Sequence, residues 1–182
     1  MSRRAVAIAA AVAAAFGAGI SFAASQHEPG GAPILGPAYG ISIDLPRGWV
    51  GRISDANAGN GAPLADLQAG SFDAADCPDL VKDDDVGTNT AKAMAAGDVL
   101  VLVWETSSSH PAYEPLQGPL HVTAADLGSS LEGFPTGHAV AHVPFSTQGR
   151  AFDLFVEFGT ASPAAAQVER VDAVLGSLRV AP

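Results

Sequence analysis

The stretch His138-Ala139-Val140-Ala141-His142-Val143-Pro144-Phe145, then Ser146-Thr147-Gln148-Gly149, then Arg150-Ala151-Phe152-Asp153-Leu154-Phe155-Val156-Glu157-Phe158 decides the fold. In its second arm Phe152, Leu154, Val156 and Phe158 alternate with Ala151, Asp153, Phe155 and Glu157. A period of two puts the first set on one face of a strand and the second on the other. Two such arms joined by a short polar segment containing Gly read as a β-hairpin.

Working outward from that hairpin, Ser162-Pro163 opens a helix, with Ser as N-cap and Pro in the first turn. Ala164, Val168, Val171, Leu175 and Leu178 then form one apolar stripe suited to lying on a sheet. On the N-terminal side, Thr123 caps a short helix running to about Leu131. Before a polar loop over Thr106–Pro119, Val99 to Trp104 is a continuous apolar run, the signature of a strand buried on both faces. Thr88 to Ala96 reads as a helix stopped at Gly97, and Leu64 to Phe72 is short enough to favour a strand. Tyr39, Ile41, Ile43 and Leu45 alternate with Gly40, Ser42 and Asp44 as a further strand. Pro46-Arg47-Gly48 turns the chain, and Trp49 to Ile53 returns as the next strand. The sum is an α+β fold, an antiparallel β-sheet with a long C-terminal helix packed on it, in one domain over 38–181.

Residues 1–25 have the pattern of a secretory signal peptide: Arg3-Arg4, then an uncharged Ala/Val-rich run, then small residues permitting cleavage after Ser25. Ser2-Arg3-Arg4-Ala5-Val6 is also compatible with a twin-arginine signal. An uncleaved anchor is the alternative, because about 20 apolar residues can just span a bilayer. Cleavage would leave no stable membrane insertion and place the protein outside the cytoplasm, secreted or in the cell envelope. Residues 26–37, with Pro29-Gly30-Gly31 and Pro33, read as a flexible leader. Losing Arg3 and Arg4 and no acid would take the net charge from −10 to −12. That charge excludes nucleic acid as the main partner and points to a basic protein or a small envelope ligand. Cys77, the single cysteine, has no partner for an intramolecular disulfide.

Three groups of residues are candidates for chemistry. Asp73, Asp76, Asp79, Asp83, Asp84 and Asp85 form an acidic stretch; calcium would need such oxygens, but the spacing departs from the alternating-acid calcium loop. The plainer reading is a solvated acidic loop. His138 and His142 share a face of a strand, yet i and i+4 stand about 13 Å apart there, too far for one metal ion. Trp49, following a turn, could serve as an aromatic platform for a ligand or as core, whereas Trp104 ends an apolar strand and reads as core. No nucleophile–base signature is present, and neither a cofactor nor a metal is predicted. The expectation is a non-catalytic binding or accessory module. Its rival is a metal-binding protein or metal-dependent hydrolase using His138, His142 and the Asp73–Asp85 stretch.

Tyr39-Gly40-Ile41-Ser42-Ile43-Asp44-Leu45-Pro46-Arg47-Gly48-Trp49 resembles the opening "strand, Leu-Pro-x-Gly-Trp" of PsbP/Mog1-like domains. Arg150 to Leu154, with Val171 and Leu175-Gly176-Ser177-Leu178-Arg179-Val180, resembles their last strand and closing helix. Small exported actinobacterial LpqN-like proteins are similar in scheme. The resemblance covers about a third of the chain, and 55–135 has no counterpart in it. It implies an α/β/α sandwich used for binding and assembly, and it brings no catalytic residue. The lipidation Cys common in the LpqN-like group is absent here.

Overall fold

The computed structural model describes residues 33–55, 64–72, 88–106, 113–129 and 134–182. The signal segment, Cys77 and the acidic stretch Asp73–Asp85 lie outside the described residues.

The predicted hairpin is present as β7 (Ala139–Thr147) and β8 (Arg150–Phe158), and it is the centre of assembly. Its turn is Gln148-Gly149, with φ of 53° and 74°, the two positive values that let a two-residue turn follow the twist of its strands. β8 is zipped on its other side to β5 (Val99–Thr106), with Val101 opposite Val156 and Trp104 opposite Asp153. β5 continues to β4 (Ala65–Gly70), and β4 to β3 (Val50–Asp55). On the far edge β7 pairs with β6 (Leu127–Gly128). The six strands run in the order β3-β4-β5-β8-β7-β6, every neighbour antiparallel.

One face of this sheet carries the main core. Leu67, Val101, Val103, Phe152, Leu154, Val156 and Phe158 are buried there together with Ile41, Ile43, Val171, Val174 and Leu175. The covering layer is a second, three-stranded sheet, β1 (Pro33–Gly36), β2 (Ile41–Asp44) and β9 (Arg179–Val180) in the order β1-β2-β9, with helix α2 (Ala165–Leu175). On the opposite face a smaller cluster forms from Phe72, Ala91, Met94, Leu100 and Leu102, where Ala91 belongs to α1 (Thr88–Ala93). Val99 to Val103 is therefore buried on both sides, as its uninterrupted apolar run predicts.

The structure departs from the sequence expectation in five places. The C-terminal helix is not long: α2 has 11 residues. It starts two residues after Ser162, at N-cap Ala164, where Gln167 Oε1 accepts the Ala164 N–H at 2.9 Å. It stops at Gly176 because the chain must unwind for Arg179 and Val180 to pair with Ser42 and Ile41. Ser177 fixes that exit: its buried hydroxyl accepts Asp44 N–H at 2.9 Å and donates to Val174 O at 2.6 Å. Replacing Ser177 with Ala is expected to cost about 1 to 2 kcal/mol in a urea melt, since it strips two partners at once.

Pro33–Gly36, predicted as part of the 26–37 leader, is strand β1, paired from Pro33↔Asp44 to Gly36↔Ile41. β2 and β3 do not pair. Across Pro46-Arg47-Gly48 the Trp49 N–H donates to Pro46 O at 3.1 Å and Gly48 takes φ 84°, so the turn hands the chain from the small sheet to the large one. The helix expected after Thr123 is a turn: Asp126 accepts from both Thr123 N–H (2.7 Å) and its hydroxyl (2.6 Å). Leu127 then leaves to pair with Ala141. Finally, α1 ends at Ala93, short of Ala96, as Asp98 takes the Ala95 N–H at 2.7 Å and turns the chain into β5.

Candidate functional site

Register across the large sheet is in phase, so side chains on its second face fall into rows. One row runs Val50, Gly70, Leu100, Glu157, Val140, and the phenyl ring of Phe72 and the Ala91 face of α1 pack against it. The next is Arg52, Gln68, Leu102, Phe155, His142. The third is Ser54, Asp66, Trp104, Asp153, Pro144, and it is half-buried to exposed along its length. The last two rows make a polar and aromatic strip across five strands.

Aromatic rings occupy its middle. Phe155 stacks on His142 with centroids 4.5 Å apart and planes within 3°. Trp104 meets Phe155 edge-on at 5.4 Å and 63°, and Phe134 lies 6.1 Å away on another side. On one flank Asp153 accepts the Tyr113 hydroxyl at 2.8 Å and lies 2.7 Å from His142 Nε2. Burial and the bond to Asp153 raise the Tyr113 phenol above its ordinary value, which keeps it protonated as a donor. On the other flank Asp66 accepts from Ser54 (3.3 Å), from Gln68 Nε2 (3.0 Å) and from the Trp104 indole. Burial pushes the Asp66 carboxyl above the usual range, against the pull of Arg52 and of these donors.

His138 repeats the geometry of His142 one row group away. Each imidazole reaches diagonally from β7 or its entrance to an acid on β8, His138 Nδ1 to Glu157 Oε1 at 2.6 Å and His142 to Asp153. Glu157 is 1% exposed, and burial pushes its carboxyl up against the opposing effect of His138. Among the described residues three buried side-chain atoms of this face have no partner, Arg52 Nε, Gln68 Oε1 and Glu157 Oε2; a fourth, Thr90 Oγ1, belongs to α1.

The two histidines thus share a face, as the strand spacing predicts, but each holds its own carboxylate and no common centre. Among the described residues no three of His, Cys, Asp and Glu converge as a metal site would require. The acidic stretch, Asp73, Asp76, Asp79, Asp83, Asp84 and Asp85, is outside the described residues, and so is His110. Of the two roles open to Trp49, platform and core, it takes the core, while Trp104, expected in the core, does not. Trp49 packs against the main core, whereas Trp104 sits half-buried in the strip.

Cavities elsewhere are poorer in chemistry. One of about 340 Å³ between Leu116, Leu120, Leu178 and Val180 has a single charged group, Arg179, whose guanidinium is spent on the Gly176 and Leu178 carbonyls. Another, of about 470 Å³, holds Glu105 and Arg150, which are bonded to each other. Neither shows several polar groups converging on an apolar floor, the usual mark of a ligand site. No family model, no curated protein and no solved structure matches this chain. Among the described residues no helix is long and apolar enough to cross a membrane.

Proposed function

We propose that this chain is an exported, non-catalytic binding module of the cell envelope or extracellular space, and that it engages its ligand with the strip containing Trp104, Phe155, Asp66, Asp153 and Tyr113. The observation that carries the reading is the half-buried indole of Trp104 standing in register between two carboxylates on a six-stranded sheet. Sheet register holds these groups without a ligand present, which is the preorganisation that binding needs. Each acid is occupied in orienting neighbours, and among the described residues His142 is bonded to Asp153 rather than to a nucleophile. That arrangement favours recognition over bond-making. The PsbP/Mog1-like resemblance supports the same role. The finer architecture it implies, helices on both sides of the sheet, is in keeping with α1 and α2 joining clusters on opposite faces.

The test is amide chemical-shift mapping of the protein against a panel of hexa-arginine, chitotetraose and anionic phospholipid vesicles. Shifts confined to β4, β5, β7 and β8, and lost in Trp104→Leu, are expected for at least one member. No shift from any member, or shifts that persist unchanged in Trp104→Leu, would overturn the reading. Export has its own check: intact mass of protein recovered outside the cytoplasm should correspond to a chain beginning at Gln26. A full-length mass in the membrane fraction would instead mean a retained anchor.

A further inference from the structure

Resting on that reading of the strip, we infer that its ligand is cationic: an ammonium or guanidinium group, as presented by a basic peptide, seated on Trp104 between Asp66 and Asp153. The register places the three residues side by side on β4, β5 and β8, their strands about 4.8 Å apart, so an acid stands on either side of Trp104 and Asp66 is bonded to its indole. Carboxylate walls beside an aromatic face match a cation, which gains from the ring quadrupole as well as from the charges.

Hydrogen-bond accounting points the same way. A carboxylate offers about four acceptor positions, and among the described residues Asp153 receives two donors, Tyr113 and His142. Beside Asp66 there is a further acceptor. Gln68 is 3% exposed, and its Nε2 binds Asp66 at 3.0 Å, which holds the amide against that carboxylate, while among the described residues its Oε1 has no donor and the buried Arg52 Nε no acceptor. Asp153 thus keeps acceptor capacity beside the indole, and an ammonium or guanidinium brings only donors. Against the two acids Arg52 supplies one fixed positive charge, so a net negative charge remains at the seat. The whole chain, at −10, adds a long-range field of the same sign.

The experiment is titration of the purified protein with hexa-arginine, followed by Trp fluorescence and calorimetry, with chitotetraose as the neutral comparison. The expected result is peptide binding that weakens steeply from about 0.1 M to about 1 M salt, as the screening length falls from about 10 Å to about 3 Å. Asp153→Asn and Trp104→Leu should each weaken it about tenfold or more, whereas Glu169→Gln, the same charge change on the exposed side of α2, should leave it unaltered. Equal weakening by Asp153→Asn and Glu169→Gln would mean attraction to overall charge only, and would overturn the inference. Chitotetraose binding that is lost in Trp104→Leu, with no seat for the peptide, would overturn the cationic class but leave the strip as the site. If neither probe responds to Trp104→Leu, the strip itself is wrong. Asp66→Asn serves as the second acid variant, and far-UV circular dichroism melts establish that each variant is folded before it is scored.

Discussion

Replacing Arg150 with Ala is expected to cost about 2 to 4 kcal/mol of folding stability, the largest effect of any single charge removal among the described residues. Arg150 holds Glu105 with two bonds, Nε to Oε1 at 2.7 Å and Nη2 to Oε2 at 2.6 Å. Glu105 Oε2 also accepts the Ala65 N–H at 3.0 Å, so one carboxylate ties β8, β5 and β4 together. Stranding one partner of a fully buried pair costs about 3 to 5 kcal/mol. The figure here is set lower because the side chains keep 19% and 10% of their surface exposed. Replacing both residues by apolar ones of similar size should recover most of the loss, since the expense lies in the orphaned carboxylate rather than in the absent attraction.

The same pair sets a pH dependence. Burial pushes the Glu105 carboxyl up, but the bonds from Arg150 and Ala65 outweigh it and hold the group below its ordinary value. A carboxyl whose pKa is lower in the folded state stabilises the fold above its unfolded pKa. That contribution is lost as the pH falls through the folded value. Urea melts over an acid series should therefore show stability declining toward low pH in the wild type and a flatter profile in Arg150→Ala. Parallel profiles would show that the pair does not carry the acid sensitivity.

His138→Ala is the second large effect expected, a loss of about 1 to 3 kcal/mol, because it removes the donor that the buried Glu157 has among the described residues. The sign of its pH dependence is opposite to that of Glu105. Burial raises the Glu157 carboxyl in the folded state, so its protonated form stabilises the fold and that contribution fades as the pH rises. The deficit of His138→Ala should grow on going from acid to neutral pH. Glu157→Gln keeps an acceptor for the imidazole and removes the buried charge, so it should stay within about 1 kcal/mol of wild type and restore most of the stability of His138→Ala in the double variant. A deficit that is constant with pH would assign the His138 effect to packing.

Much of the architecture follows from short-range pattern. The alternation in Arg150–Phe158 puts Asp153, Phe155 and Glu157 on one face before any partner strand is known, and that face is where the site lies. What pattern does not carry is register between strands far apart in the chain. Nothing local in Ala65–Gly70 says that Asp66 will stand opposite Trp104, or that Tyr113 will reach across to Asp153. Trp104 looks like core because it ends an apolar run, but among the described residues the cluster of Phe72, Ala91 and Met94 packs on Leu100 and Leu102 and does not include it. Helix ends depart from local pattern for a related reason. The stripe through Leu178 is apolar at helical spacing, yet Leu178 packs on the core only after the chain has unwound toward β9. Thr123 is a good N-cap by type, but one side chain, Asp126, closes the turn before a second helical turn forms.

The pairing of β9 with β2 has a kinetic meaning. Ile41 meets Val180, and Ala181 N–H donates to Gly40 O at 2.7 Å, so the second strand and the ninth close on each other. A ribosome delivers the N-terminal strand long before its partner, and the loop to be closed is nearly the whole chain. The hairpin of β7 and β8 can form at once, while β2 must wait with an unsatisfied edge and the apolar side chains Ile41 and Ile43 uncovered. Closure of β2 on β9 is therefore a late step of folding, and deleting residues 179–182 should leave Ile41 and Ile43 uncovered and the protein cut faster by protease than the wild type.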